Sequence, residues 1–129
     1  METFKEYFKF PLKMWDDWDL KVFTSDNKMA FDWMVNASRD IKQKLIDVIN
    51  GDTPARQATP KKFWHDAGII WCRFLSGLDE GKEIKLCRIR GWGMLTGTGG
   101  YNLEPEYAAE IQDTFAEYIV EKLNGKNNE

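Results

Sequence analysis

Three arginines and a tryptophan are the residues of this 129-residue chain best suited to bind something. Trp71 and Arg73 stand two apart, as do Arg88 and Arg90 just before Gly91. In extended backbone, residues two apart project from the same side. Guanidinium groups gathered on one face beside an indole would clamp a carboxylate or phosphate and stack against a planar ring. After Arg90 comes GWGMLTGTGG, residues 91–100, which holds five glycines, and the chain carries no charge from Gly91 to Leu103. Trp92 and Tyr101 add aromatic surface at the two ends of that run. The candidate binding surface is therefore Trp71, Arg73, Arg88, Arg90, Trp92 and Tyr101.

The glycine-rich run invites a phosphate-binding reading, and its details oppose one. A Walker loop needs a lysine after its last glycine, and none lies between Gly91 and Gly100. The dinucleotide pattern G-x-G-x-x-G fits Gly91 and Gly93, but Thr96 holds the third glycine's place. The helix expected next begins Glu104-Pro105-Glu106, whose carboxylates occupy the positive end of the helix dipole and repel an anion there. Arg88-Ile89-Arg90-Gly91-Trp92-Gly93 also has the form R-x-x-G-x-G, similar to the pyrophosphate loop of coenzyme A-dependent N-acetyltransferases. That resemblance implies backbone amides at a helix start, whereas Thr96-Gly97-Thr98-Gly99-Gly100 disfavours helix. The plainer expectation is a strand-to-helix loop in which glycines allow positive φ and Trp92 and Tyr101 pack onto the core.

Other reactive residues give weaker patterns. His65 and Asp66 are adjacent, so in extended backbone they point apart and cannot form the base–orienter contact of a catalytic triad. Cys72 and Cys87 are read as buried reduced thiols acting as small apolar groups. Asp16, Asp17 and Asp19 could approach a cation, but the EF-hand pattern counted from Asp16 meets Lys21 and Asn27 where glycine and glutamate belong. No catalytic residue, metal or cofactor is expected.

Composition narrows the function classes. A net charge of −3 with 30% charged residues describes an ordinary soluble surface and disfavours nucleic acid as a partner. The charge is uneven: residues 61–90 carry 7 bases and 4 acids, whereas residues 101–129 carry 2 bases and 7 acids. Any anion-binding surface should therefore lie in the third quarter of the chain. The start, METFKEYFKF, has neither the charge pattern of a signal peptide nor the apolar length of a membrane span, so a cytoplasmic address is expected.

The positioning elements follow from periodicity. Alternation at Phe8, Phe10 and Leu12 predicts a short edge strand, with Pro11 tolerated because it is at an edge. Residues 18–35 read as a hairpin turning at Ser25-Asp26-Asn27-Lys28, with Leu20 meeting Trp33, Val22 meeting Phe31 and Lys21 meeting Asp32. Ser38 should cap a helix carrying Ile41, Leu45, Val48 and Ile49, which stops at Asn50-Gly51. Residues 51–62 read as a surface loop and His65-Asp66-Ala67-Gly68 as a turn. A second hairpin joins residues 69–75 to 82–90, and pairing Leu75 with Ile84 sets Cys72 opposite Cys87. Ile70, Cys72, Phe74, Cys87 and Ile89 then face the core, with the tryptophan and arginines opposite. A last helix from Pro105 to Asn124-Gly125 buries Ala108, Ile111, Phe115 and Ile119, and carries Glu106, Glu110, Asp113, Glu117 and Glu121 outward.

The expected fold is a single α+β domain over residues 1–129: an antiparallel sheet of two hairpins plus an N-terminal edge strand, with two helices packed on one face. The run R-G-W-G-x-L-T-G and the following A-A-x-x-I-Q-D (Ala108, Ala109, Ile111, Gln112, Asp113) resemble short uncharacterised proteins of gut Bacteroidales genomes and their mobile elements. That resemblance implies an accessory protein of phage or plasmid and no particular activity. The functional expectation is a small non-enzymatic binding or adaptor protein that engages a protein partner or a second copy of itself. The alternative is an enzyme or sensor for a small nucleotide-like anion, held by the arginines and the glycine loop. Single-stranded nucleic acid on the same arginines with Trp71 and Trp92 is a third class, which net acidity disfavours.

Overall fold

The computed structural model describes residues 3–54, 61–90, 95–96 and 101–125. A short 3-10 helix, Thr3–Glu6, leads to strands β1 (Lys13–Trp15), β2 (Trp18–Phe23) and β3 (Met29–Trp33) and helix α1 (Arg39–Asn50). Strands β4 (Lys61–Asp66), β5 (Ile69–Phe74) and β6 (Glu83–Ile89) follow, and helix α2 (Pro105–Asn124) is last. The six strands form one sheet in the order β1-β2-β3-β6-β5-β4, and every neighbouring pair is antiparallel. Both helices cover the same face, so the fold is α+β as the periodicity predicts. No helix among the described residues is long and apolar enough to cross a membrane.

The first hairpin follows the expected register through Lys21↔Asp32 and Val22↔Phe31, and Lys21 Nζ lies 3.0 Å from Asp32 Oδ1. Its turn is held by Thr24, which is fully buried: its hydroxyl donates to Asp26 and accepts from Lys28 N at 3.0 Å. A bulge after Val22 pairs Phe23, not Thr24, with Met29. Leu20 does not reach the core as expected and is 57% exposed. Next to Leu20 in the chain, Asp19 O accepts from the buried ammonium of Lys42 of α1 at 3.1 Å.

The N-terminal edge strand is present one step later than the alternation suggests. Phe8, Phe10 and Leu12 lead up to β1 and do not form it; Phe8 instead stacks on Phe115 of α2 at 4.1 Å between centroids. Aromatic rings gain more from the buried interior of the helix layer than from an edge exposed on one side.

The larger difference is β4, which starts within the stretch read as a loop. Its alternation begins at Lys61, directly after the proline-containing segment that obscured it. Ala67 and Gly68, with φ of 51° and 80°, make a two-residue turn that closes Asp66 onto Ile69. A Cβ on Gly68 would also come within 2.9 Å of Gln112 Nε2. Gly68→Ala should therefore lower stability by about 1–2 kcal/mol, mostly through the left-handed backbone, as read from urea denaturation. A loss near zero would mean that the turn relaxes without strain.

The second hairpin keeps both cysteines in the core but not opposite each other. Cys72 pairs with Ile84 and Cys87 with Ile70. The turn closes on Phe74 and Lys82, through Phe74 N–H to Lys82 O at 3.0 Å, and a bulge between Ile70 and Trp71 shifts the rest. That bulge turns Leu86 inward beside Cys87, so β6 buries two consecutive side chains. Burial pushes both thiols above their ordinary range, as a desolvated thiolate requires.

Each helix ends on an asparagine that performs a second task. Asn50, before Gly51, accepts from Leu12 N at 2.8 Å and donates to Leu12 O at 3.0 Å. Asn124, before Gly125, does the same at Phe63, with both bonds at 3.0 Å. An amide side chain presents one acceptor and one donor side by side and so mimics a neighbouring strand.

Candidate functional site

Among the described residues both helices pack on one face of the sheet, and the expected arginine surface lies on the other. Cross-strand partners share a face, so the register fixes its membership. One row across the sheet is Lys21, Asp32, Arg88, Ile69 and Asp66. The next rows hold Trp64 with Trp71 and Lys85, then Lys62 with Arg73 and Glu83. Trp71, Arg73 and Arg88 are thus brought together as the alternation predicts, and Arg90 joins them through its contact with Asp32.

Towards the β4 edge of this face stands a tryptophan pair. Trp64 and Trp71 sit directly opposite on β4 and β5, with ring planes 6° apart and centroids 6.2 Å apart. Arg73 lies over Trp64 at 5.7 Å and Lys85 over Trp71 at 5.4 Å, each within cation–π range. Trp64 was missed by sequence reading because β4 was. The signal was available: in KKFWHD, Phe63 and His65 point to one side and Lys62 and Trp64 to the other.

The arginines are less free than their sequence suggests. Arg73 is held by Glu83, with Nε donating to Oε2 at 2.8 Å. Asp32 receives Arg90 on one oxygen and Lys21 on the other. The acids that answer the arginines therefore come from the same sheet face, not from the acidic stripe of α2. Arg88 is directly across from Asp32 and forms no ion pair among the described residues. These rows together with Arg90 carry six cations (Lys21, Lys62, Arg73, Lys85, Arg88 and Arg90) and three acids (Asp32, Asp66 and Glu83), so this part of the face is net basic on an acidic chain.

Asp32 is the hub of this network. Burial raises its pKa, but the hydrogen bonds from Arg90 and Lys21 outweigh burial and hold the carboxyl below its ordinary value of 3.8. A carboxylate with a depressed folded pKa stabilises the protein fully above its unfolded pKa and loses that contribution as pH falls through the folded value. The stability difference between wild type and Asp32→Asn should therefore be constant near neutrality and shrink on acidification from about pH 5 towards about pH 2. A difference that stays constant over that range would show that the network is not electrostatically coupled.

One of the six candidate residues, Tyr101, is not part of this group. Tyr101 packs edge-on against Tyr7 at 4.8 Å, under the Lys28 ammonium at 4.4 Å, near the start of α2. Trp92 and most of the glycine run lie outside the described residues. Of that run, Leu95 is fully buried, and its carbonyl accepts from Leu103 N at 2.6 Å. His65 points to the helix side, where its Nε2 is 2.8 Å from Glu117 Oε2 of α2, away from Asp66. Asp19 serves Lys42, and among the described residues no three His, Cys, Asp or Glu side chains gather as for a metal.

Compared with protein-family models, curated proteins and solved structures, the chain matches none of them. The functional argument therefore rests on the uncovered face itself.

Proposed function

We propose that the protein is a small non-enzymatic binding or adaptor protein whose binding surface is the uncovered sheet face, and that its partner is another protein chain. The observation that carries this reading is the Trp64–Trp71 pair on the β4–β5 side of that face, with Arg73 and Lys85 lying over its rings. Large rigid rings with a charged rim make the hot spots of protein interfaces, where tryptophan and arginine are enriched. The surrounding ion pairs hold Arg73 and Arg90 in place before any partner arrives, which lowers the entropy cost of docking. The same pairs weaken the alternative of a small-anion clamp, since two of the three arginines already face a carboxylate. The resemblance of residues 90–97 and the helix after them to mobile-element proteins supports an accessory role of this kind.

The test is affinity capture with tagged wild type beside Trp71→Ala and Arg88→Glu, followed by calorimetry with the purified partner. Both substitutions lie on the open face and should leave the fold intact while weakening a common partner at least tenfold. Calorimetry against ATP, coenzyme A and a short oligonucleotide should give no signal. Micromolar affinity for any of these, abolished by Arg88→Glu, would replace this reading with the anion-binding or nucleic-acid one.

A further inference from the structure

The outer side of α2 is acidic and largely unanswered. Glu106, Glu110, Asp113 and Glu117 recur at three- and four-residue steps, so they form one row along the helix. All four are exposed, while the opposite side of α2 is buried from Ala108 to Leu123. Glu117 meets His65 at 2.8 Å. Glu106, Glu110 and Asp113 form no ion pair among the described residues. Like charges at these steps destabilise a helix, so the row carries a cost that a cationic partner would relieve.

Matching cations lie on the other side of the sheet. His65 of β4 reaches α2, and Lys62 and Trp64 alternate away from it. The acidic row and the arginine-bearing face are therefore back to back and cannot meet within one chain. Lys62, Arg73, Lys85 and Arg88 are all exposed, and Lys62 and Arg88 form no ion pair among the described residues.

The two surfaces also agree in size. Arg88 is across from Ile69, and Ile69 from Asp66, four residues beyond Lys62 in β4. Two strand spacings and four residues put Arg88 and Lys62 about 16 Å apart. Glu106 and Glu117 are separated by about 16 Å along the helix axis. The row of Trp64 and Trp71 lies between the two cations. On the helix, Tyr107, 39% exposed, flanks Glu106 and Glu110 and offers a ring to that row.

We propose that the occupant of the arginine-bearing face is the acidic outer row of α2 in a second copy of this chain, so that copies join head to tail. The inference rests on that face being the binding surface and adds what it binds. Because the two surfaces are different and on opposite sides, two copies do not close the contact. Assembly continues copy by copy unless the rotation closes a ring.

Sedimentation equilibrium of the full chain over rising concentration tests it, with an average mass expected to climb past that of a dimer. Raising salt from about 0.1 M to about 1 M shortens the Debye length from about 10 Å to about 3 Å and should weaken association at least tenfold. Lys62→Glu/Arg88→Glu reverses the face, and Glu110→Lys/Asp113→Lys reverses the row. Each should be monomeric alone. Mixed in equal amounts they should associate again, because the reversed face of one then meets the reversed row of the other. Should a reversal fail to fold, Lys62→Gln/Arg88→Gln and Glu110→Gln/Asp113→Asn should each weaken association at least threefold. A chain that is monomeric at every concentration overturns the proposal. If Trp71→Ala then still loses a captured foreign protein, the face stands as a binding surface with a different occupant. Association indifferent to salt or to reversal of the row, or reversed variants that stay apart when mixed, overturns it too. Association that needs the row but survives reversal of the face overturns both the proposal and the reading of the face.

Discussion

Phe115→Ala should lower folding stability by roughly 3–5 kcal/mol, the range for removing a buried aromatic ring. Phe115 is fully buried on α2, and three rings of the N-terminal segment converge on it. Phe8 stacks at 4.1 Å, Phe4 is tilted at 5.6 Å and Phe10 meets it edge-on at 6.3 Å. Taking out the shared ring opens a void that none of these can fill without leaving its own contacts. The segment before β1 is attached to the helix layer largely by these rings, so it should loosen first. Urea melts give the magnitude, and limited proteolysis within residues 3–12 should show the loosening. Phe115→Leu, which keeps most of the volume, should cost about 1.5 kcal/mol or less. A loss below about 1 kcal/mol for the alanine variant would mean that the rings repack freely around the gap.

Asn124→Ala should cost about 2–3 kcal/mol, although it replaces a polar residue at the end of a helix with a better helix former. The amide serves Phe63 N–H and C=O together, and Phe63 is itself buried. Removing it orphans two backbone groups, each costing about 1–3 kcal/mol where water cannot reach and less where it can. Asn50→Ala should behave alike through Leu12. Aspartate at either position keeps the acceptor and loses the donor, so it should not rescue. Amide hydrogen exchange supplies the specific readout: protection at Phe63 should fall in the Asn124 variant while that at Val22 is unchanged. Equal loss of protection at both sites would mark a global effect and remove the special role of the amide.

Much of the architecture was legible because burial on one face leaves a period in the chain. The Lys21–Asp32 pair could be read from the turn and the alternation together. So could the buried faces of α2, because a helix of 20 residues repeats its pattern often enough to be unambiguous. The second hairpin shows the limit. Alternation says which side a residue faces, and both cysteines are inward, but it does not say which residue is opposite. A bulge at Leu86 moved the partners with no mark in residue type. Strand β4 was hidden because a proline-containing stretch runs directly into it, and because alanine rarely adopts the positive φ that Ala67 has. The candidate face was therefore read without Trp64, half of its tryptophan pair. The asparagines were legible as helix stops and silent as strand mimics, since their partners lie 38 and 61 residues away in the chain.

The packing of both described helices on one face of the sheet has a consequence for how this molecule can change. Along β4 and β5 the residues that build the interior alternate with those that meet solvent, so the two sets can mutate as nearly separate alphabets. Lys62, Trp64, Trp71, Arg73, Lys85 and Arg88 can be randomised together while Phe63, Ile70, Cys72 and Cys87 stay fixed. A lineage could exchange one target for another over few generations without passing through an unfolded intermediate. A display library built on those six positions would turn the same property into a laboratory scaffold, its diversity kept off the residues that build the core.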